Sequence, residues 1–222
     1  MKCAVLVFPG TSGDRDIVSA LTKSGFTVET RRHDVETFDG FDLIVLPGGF
    51  SYGDYLAAGR LAAAAPAVAA IKQAAASGAL VLGVGNGFQI LTEMRLLPGG
   101  FLPNQDGTFV CEYADMIVTN NQTKFTTAYT ENAKIRLPIA HESGNFWADE
   151  ETLQKLKTEN QIVFTYADNP NGSVENIAGI VSESGNVLGV MGRPERALEC
   201  LLGSKDGRAL FASMLNAGRE SV

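Results

Sequence analysis

Runs of β-branched and aliphatic residues, each closed by glycine or proline, recur along the chain and set its expected architecture. Residues 2–8 form the first run, which stops at Pro9-Gly10. A polar loop follows, then apolar positions at Ile17, Val18 and Leu21 with helical spacing, so this stretch predicts strand, loop and helix. The pattern repeats, with strands expected over 27–32 and 42–46, an alanine-rich helix over 56–75, and a fully apolar strand over 79–84. Strands apolar on both faces belong in a parallel sheet covered by helices. From 108 to 139 the runs shorten and alternate, broken at Asn120-Asn121 and Asn132, which predicts hairpins at one edge of the sheet. A helix over 150–159 follows, then strands over 161–166, 177–181 and 187–191 and a closing helix over 208–217. No linker, charge block or internal repeat interrupts the series, so the expectation is one α/β domain over 1–222.

Composition narrows the chemistry. Lys and Arg number 18 against 25 Asp and Glu, a net charge of −7, which argues against nucleic acid or an anionic membrane surface as partner. The apolar stretch at residues 3–8 is too short for a signal peptide, and the one at 61–71 carries Pro66 and falls short of the ~20 residues of a spanning helix. Cys3, Cys111 and Cys200 show no CxxC spacing, so neither a disulfide framework nor a zinc site is expected, and a reducing cytoplasm is the simplest compartment. All three cysteines are expected to be packed as small hydrophobes. There are only two histidines, His33 and His141. His33 is expected on a solvated strand end and His141 as a satisfied structural residue. No metal or organic cofactor is required.

Two glycine-rich turns are where chemistry would sit. In Leu82-Gly83-Val84-Gly85-Asn86-Gly87-Phe88-Gln89-Ile90-Leu91 an apolar strand runs into a helix through a G-x-Nu-x-G frame, the spacing that presents a nucleophile on a sharp turn. Its central position, Gly85, has no side chain. A Rossmann reading fails, because the third glycine would have to stand at Phe88 or Ile90. The other turn, Leu46-Pro47-Gly48-Gly49-Phe50-Ser51-Tyr52-Gly53-Asp54-Tyr55, follows a strand and can aim N–H groups at a ligand oxygen. Both turns are expected to meet outside the carboxyl ends of the strands, where open α/β sheets bind ligands.

Together with Phe8-Pro9-Gly10-Thr11, Asp14, Leu96-Leu97-Pro98-Gly99, Asn120-Asn121-Gln122-Thr123, Pro138-Ile139-Ala140-His141, Asn169-Pro170-Asn171-Gly172-Ser173 and Pro194-Glu195-Arg196-Ala197, these turns resemble the class I glutamine amidotransferases. Among those, the likeness is to the glutaminase subunits of phosphoribosylformylglycinamidine synthase, and it runs in order over nearly the whole chain. The resemblance implies a flavodoxin-like fold, a mostly parallel sheet with helices on both faces. It also implies glutamine hydrolysis that feeds ammonia to a synthetase subunit in purine biosynthesis, with a small third subunit as a further partner.

That chemistry uses a cysteine nucleophile, a histidine and a glutamate, which fall by position on Gly85, Arg193 and Glu195. Only the glutamate is present. Glycine offers no nucleophile and a guanidinium cannot act as a general base, so glutaminase activity by this route is expected to be lost. The resemblance further places an oxyanion hole at the Gly49 and Asn86 N–H groups, and a glutamine pocket at Phe50, Ser51, Tyr52, Gln89 and His141. Gly13 stands where relatives often have cysteine and Gly192 where they often have proline, and Glu142-Ser143-Gly144 departs from their Gly-Glu-Gly. Arg193 is expected as a solvent-facing residue on a relaxed loop, with carboxylate pairing as the alternative. Two further alternatives stand beside the inactive subunit: a binding or regulatory module that keeps the amino-acid pocket, and an active amidotransferase with another nucleophile.

Overall fold

A computed structural model describes residues 1–220. The expected alternation of strands and helices is present, in the order β1 (Lys2–Val7), α1 (Asp14–Lys23), β2 (Thr27–Arg32), β3 (Leu43–Leu46), α2 (Ala67–Ala76), β4 (Leu80–Val84) and α3 (Asn86–Glu93). Then follow β5 (Gly100–Leu102), β6 (Val110–Val118), β7 (Lys134–His141), β8 (Asn145–Trp147), α4 (Glu150–Thr158), β9 (Ile162–Tyr166), β10 (Ile177–Val181), β11 (Val187–Val190) and α5 (Arg208–Glu220). The main sheet has nine strands in the order β2-β1-β3-β4-β11-β10-β9-β6-β7. The first five are mutually parallel, and the later neighbours pair antiparallel. Only β10 and β6 therefore run against the common direction, so the sheet is mostly parallel, as expected.

Every residue of β3, β4, β10 and β11 is buried. Both faces of the sheet's centre are thus covered, which is why these segments read as unbroken apolar runs rather than alternating ones. The edge hairpin β6–β7 alternates instead, with Ile135, Leu137 and Ile139 buried and Lys134 and Arg136 exposed.

Two expectations need correction. The helix expected over 56–75 is real only from Ala67. Residues 51–61 are loop and a short 3-10 turn, Ala62–Ala64 is a second such turn, and Pro66 caps α2. Alanine content favours helix, but Asp54 accepts the Gly59 N–H at 3.2 Å, and a Cβ on Gly59 would lie 2.7 Å from the Ile90 N of α3. The loop is held down on α3 and cannot coil into one helix. Nor are all the cysteines packed away. Cys3 is buried, whereas Cys111 on β6 and Cys200 in the turn before α5 are exposed.

Candidate active site

Four neighbouring parallel strands, β1, β3, β4 and β11, deliver their carboxyl-end loops to one place. The loop after β1 is tied to the loop after β3: Ser12 and Gly13 donate N–H bonds to the Gly48 carbonyl at 3.2 and 2.9 Å, and the Phe50 N–H donates to Gly10 O at 3.0 Å. The Gly85 N–H donates to Val190 O at 2.8 Å, and the Arg193 N–H donates to Pro138 O at 2.8 Å. Gly85 sits between β4 and α3 with φ 53° and ψ −110°, a backbone that costs an L-residue strain and gives the elbow its sharp reversal. A cavity of about 880 Å³ lies at the other end of the sheet beside Met1, Asp42, Ala79 and Leu80, and none of the described residues lining it is a cysteine or histidine. The carboxyl end is therefore where chemistry has to be sought.

Asn86 organises this end. Its side-chain carbonyl accepts the Ser51 N–H at 3.0 Å and its amide donates to Gln89 Oε1 at 2.9 Å. Gln89 Nε2 donates in turn to Ser143 O at 2.7 Å. The loop after β3, the first turn of α3 and the segment after β7 are thereby joined. Asp54 approaches the Asn86 amide at 3.4 Å, and partial burial raises its pKa above the usual aspartate range. Ser51 is buried with its hydroxyl unpartnered, while Phe50 is exposed and stacks on Phe109. Tyr52 turns the other way, packing on Phe8 and meeting His33 Nδ1 at 3.1 Å through its hydroxyl.

His141 ends β7 and is buried. Asn104 Oδ1 accepts both the Gly144 N–H at 2.9 Å and a hydrogen bond from His141 Nδ1 at 3.1 Å. An acceptor there places the imidazole proton on Nδ1 and leaves Nε2 facing the Asn171 amide at 3.4 Å. Burial pushes the His141 pKa down to about 4. It is a neutral member of a polar network with Asn104, Asn171 and Ser173.

Arg193 is where the structure departs furthest from expectation. It is not solvent-facing but 5% exposed, and its Nε donates to Glu195 Oε1 at 2.5 Å. Two glycines make the room and a third borders it. A Cβ on Gly85 would lie 3.8 Å from Arg193 Cδ, a Cβ on Gly48 would lie 2.8 Å from the guanidinium carbon, and a Cβ on Gly13 would overlap Nη2. The arginine thus lies across Gly85, Gly48 and Gly13. Arg193 Nη2, Glu195 Oε2 and Ser51 Oγ are the buried side-chain polar atoms without a partner among the described residues. All three belong to the loops that meet here.

With the carboxyl-end loops and the elbow in place, the class is defined by comparison. A family model for the CobB/CobQ-like glutamine amidotransferase domain matches residues 1–208, and the chain belongs to that family. The structure of PurLQS from Thermotoga maritima is similar at 45% identity and TM-score 0.90, covering 97% of each chain. More distant are the glutaminase domain of Trypanosoma brucei CTPS with bound acivicin, at 12% identity and TM-score 0.65 over 99% of this chain and 94% of that one, and a Thermotoga maritima glutamine amidotransferase, at 16% and 0.61 over 99% and 91%. At that identity the last two share the fold alone.

Cys3 lies near the amino end of β1, and burial pushes its thiol pKa far up. No group of three or more His, Cys, Asp or Glu among the described residues is placed to hold a metal. No helix among them is long and apolar enough to cross a membrane.

Proposed function

We propose that this chain, read as one amidotransferase-like domain, is the glutaminase-type subunit of a phosphoribosylformylglycinamidine synthase in purine biosynthesis, and that it no longer hydrolyses glutamine. The observation that carries the reading is the pairing of an elbow without a side chain, Gly85, with a buried arginine, Arg193, at the position of the base. In the reaction of the class, a thiolate at position 85 attacks the glutamine amide carbon, the oxygen gathers charge on the Gly49 and Asn86 N–H groups, and a base at 193 held by Glu195 moves the proton. Here Glu195 holds a guanidinium, which stays protonated and fixed. Loss of a nucleophile costs on the order of a millionfold in turnover.

Cys3 offers no substitute, because it sits at the far end of β1 with its thiol held protonated by burial. The chain then serves its complex as a docked subunit in the cytoplasm, with a synthetase subunit and a small third subunit as partners, while the synthetase runs on free ammonium. The test is to assay synthase activity of the assembled complex with glutamine and with ammonium salts. Activity with ammonium alone is expected, and glutamine-dependent turnover at a normal rate overturns the reading.

A further inference from the structure

Removing a nucleophile requires only one substitution, yet this site carries an arginine laid into a cradle of glycines that come from three different loops. The cradle has a specific shape. Gly13 lies in the loop after β1, Gly48 in the loop after β3, and Gly85 at the elbow after β4. A Cβ at Gly48 or Gly13 would fall on the guanidinium carbon or Nη2, while Gly85 lies in ordinary contact with Cδ. A side chain at Gly13 is incompatible with Arg193 where it stands, so the two positions depend on each other.

The slot borders the space that a reacting amide needs. A carbon attacked from position 85 sits about 3–3.5 Å from the attacking atom, with its oxygen toward the Gly49 and Asn86 N–H groups. Arg193 Cδ already stands 3.8 Å from the Cβ position of residue 85, in van der Waals contact with it. The residue is held at two points: the backbone N–H donates to Pro138 O at 2.8 Å, and Nε donates to Glu195 Oε1 at 2.5 Å. Swinging it out would strand the Glu195 carboxylate, itself 4% exposed, without its cation. The ion pair does not use its full capacity, because Nη2 and Oε2 remain unpartnered. Steric fit to Gly13 and Gly48, rather than ideal pairing, holds the guanidinium in this place.

We infer that Arg193 is the specificity-determining residue of the pocket: its side chain fills the amide subsite and shuts out the carboxamide of glutamine. This rests on the reading of the pocket as a former glutamine site. It goes further than a missing nucleophile, since a pocket that had lost only its cysteine would still bind glutamine.

Calorimetric titration of the full chain with L-glutamine tests it. Arg193→Ala/Glu195→Gln removes the side chain together with the charge it balances, and Arg193→His keeps a partner for Glu195 should the double variant fold poorly. Either variant is expected to bind glutamine on the order of 100-fold more tightly than the unaltered chain. Equal affinity in all three, or no saturable binding in either variant, overturns the inference. Gly13→Ser supplies a second readout. It should lower the thermal midpoint clearly beside Arg193 and much less in the Arg193→His background, and an equal loss in both backgrounds also counts against the cradle. The ammonium assay of the complex is independent of these measurements, so failure of the functional reading and failure of this inference are told apart.

Discussion

Two buried polar clusters lie among the carboxyl-end loops, and they are built to different standards. Around His141, Asn104 accepts from Gly144 and His141 and donates to the carbonyls of Thr108 and His141, while Asn171 and Ser173 close the network through Gly144 O. Around Arg193, one short ion pair is made and three polar atoms go without. A satisfied network contributes to stability and fixes one arrangement, whereas an unfinished one costs free energy that only another constraint explains. The first cluster is structural, holding the segment after β7 against Gln89. The second, on the function proposed above, lies where a reacting constellation would stand, with an arginine fitted to the room available.

The largest expected effect comes from breaking the second cluster by halves. Arg193→Met leaves Glu195 buried without a cation and should cost about 3–5 kcal/mol in urea unfolding, whereas Arg193→Met/Glu195→Leu should recover most of it, because a buried pair is often no better than apolar replacements. A double variant as unstable as the single one would show that the pair stabilises in its own right.

Acid should separate the clusters next. His141 stays neutral in the folded chain down to about pH 4, while in the unfolded chain it takes a proton near the ordinary value of about 6.5. Stability from this group is therefore complete above about pH 6.5 and declines as pH falls toward 4, by about 3 kcal/mol in all. Denaturation midpoints against pH should show this slope in the unaltered chain and lose it in His141→Gln; an unchanged slope would place the titration elsewhere. Smallest is Asn104→Ala, which strands the Gly144 N–H and the His141 ring proton and should cost about 1–3 kcal/mol.

The central strands were legible because burial on both faces demands unbroken apolar runs, and 177–181 was found to the residue. The segment at 56–66 was not, since its alanines favour helix while the contacts that prevent it come from Asn86, Asp54 and the backbone of α3, remote or indirect in sequence. The position of Gly85 at the elbow followed from glycine spacing alone. The burial of Arg193 did not. Gly192-Arg193-Pro194 reads as an exposed loop, and the volume that buries it is supplied by Gly13, Gly48 and Gly85, up to 180 positions away. The resemblance already implies departures at both Gly13 and Arg193, but only the fold shows that one residue occupies the space the other vacates.

The mutual fit of Gly13 and Arg193 also bears on history and design, for it makes the present state hard to leave by single steps. A cysteine regained at 85 stands beside Arg193 without a base, a side chain regained at 13 collides with the guanidinium, and a histidine regained at 193 finds nothing to activate. Each change is unrewarded until another has been made. The glycine cradle thus acts as a ratchet in sequence space, and an engineer wishing to restart the reaction should vary positions 13, 85 and 193 together rather than in turn.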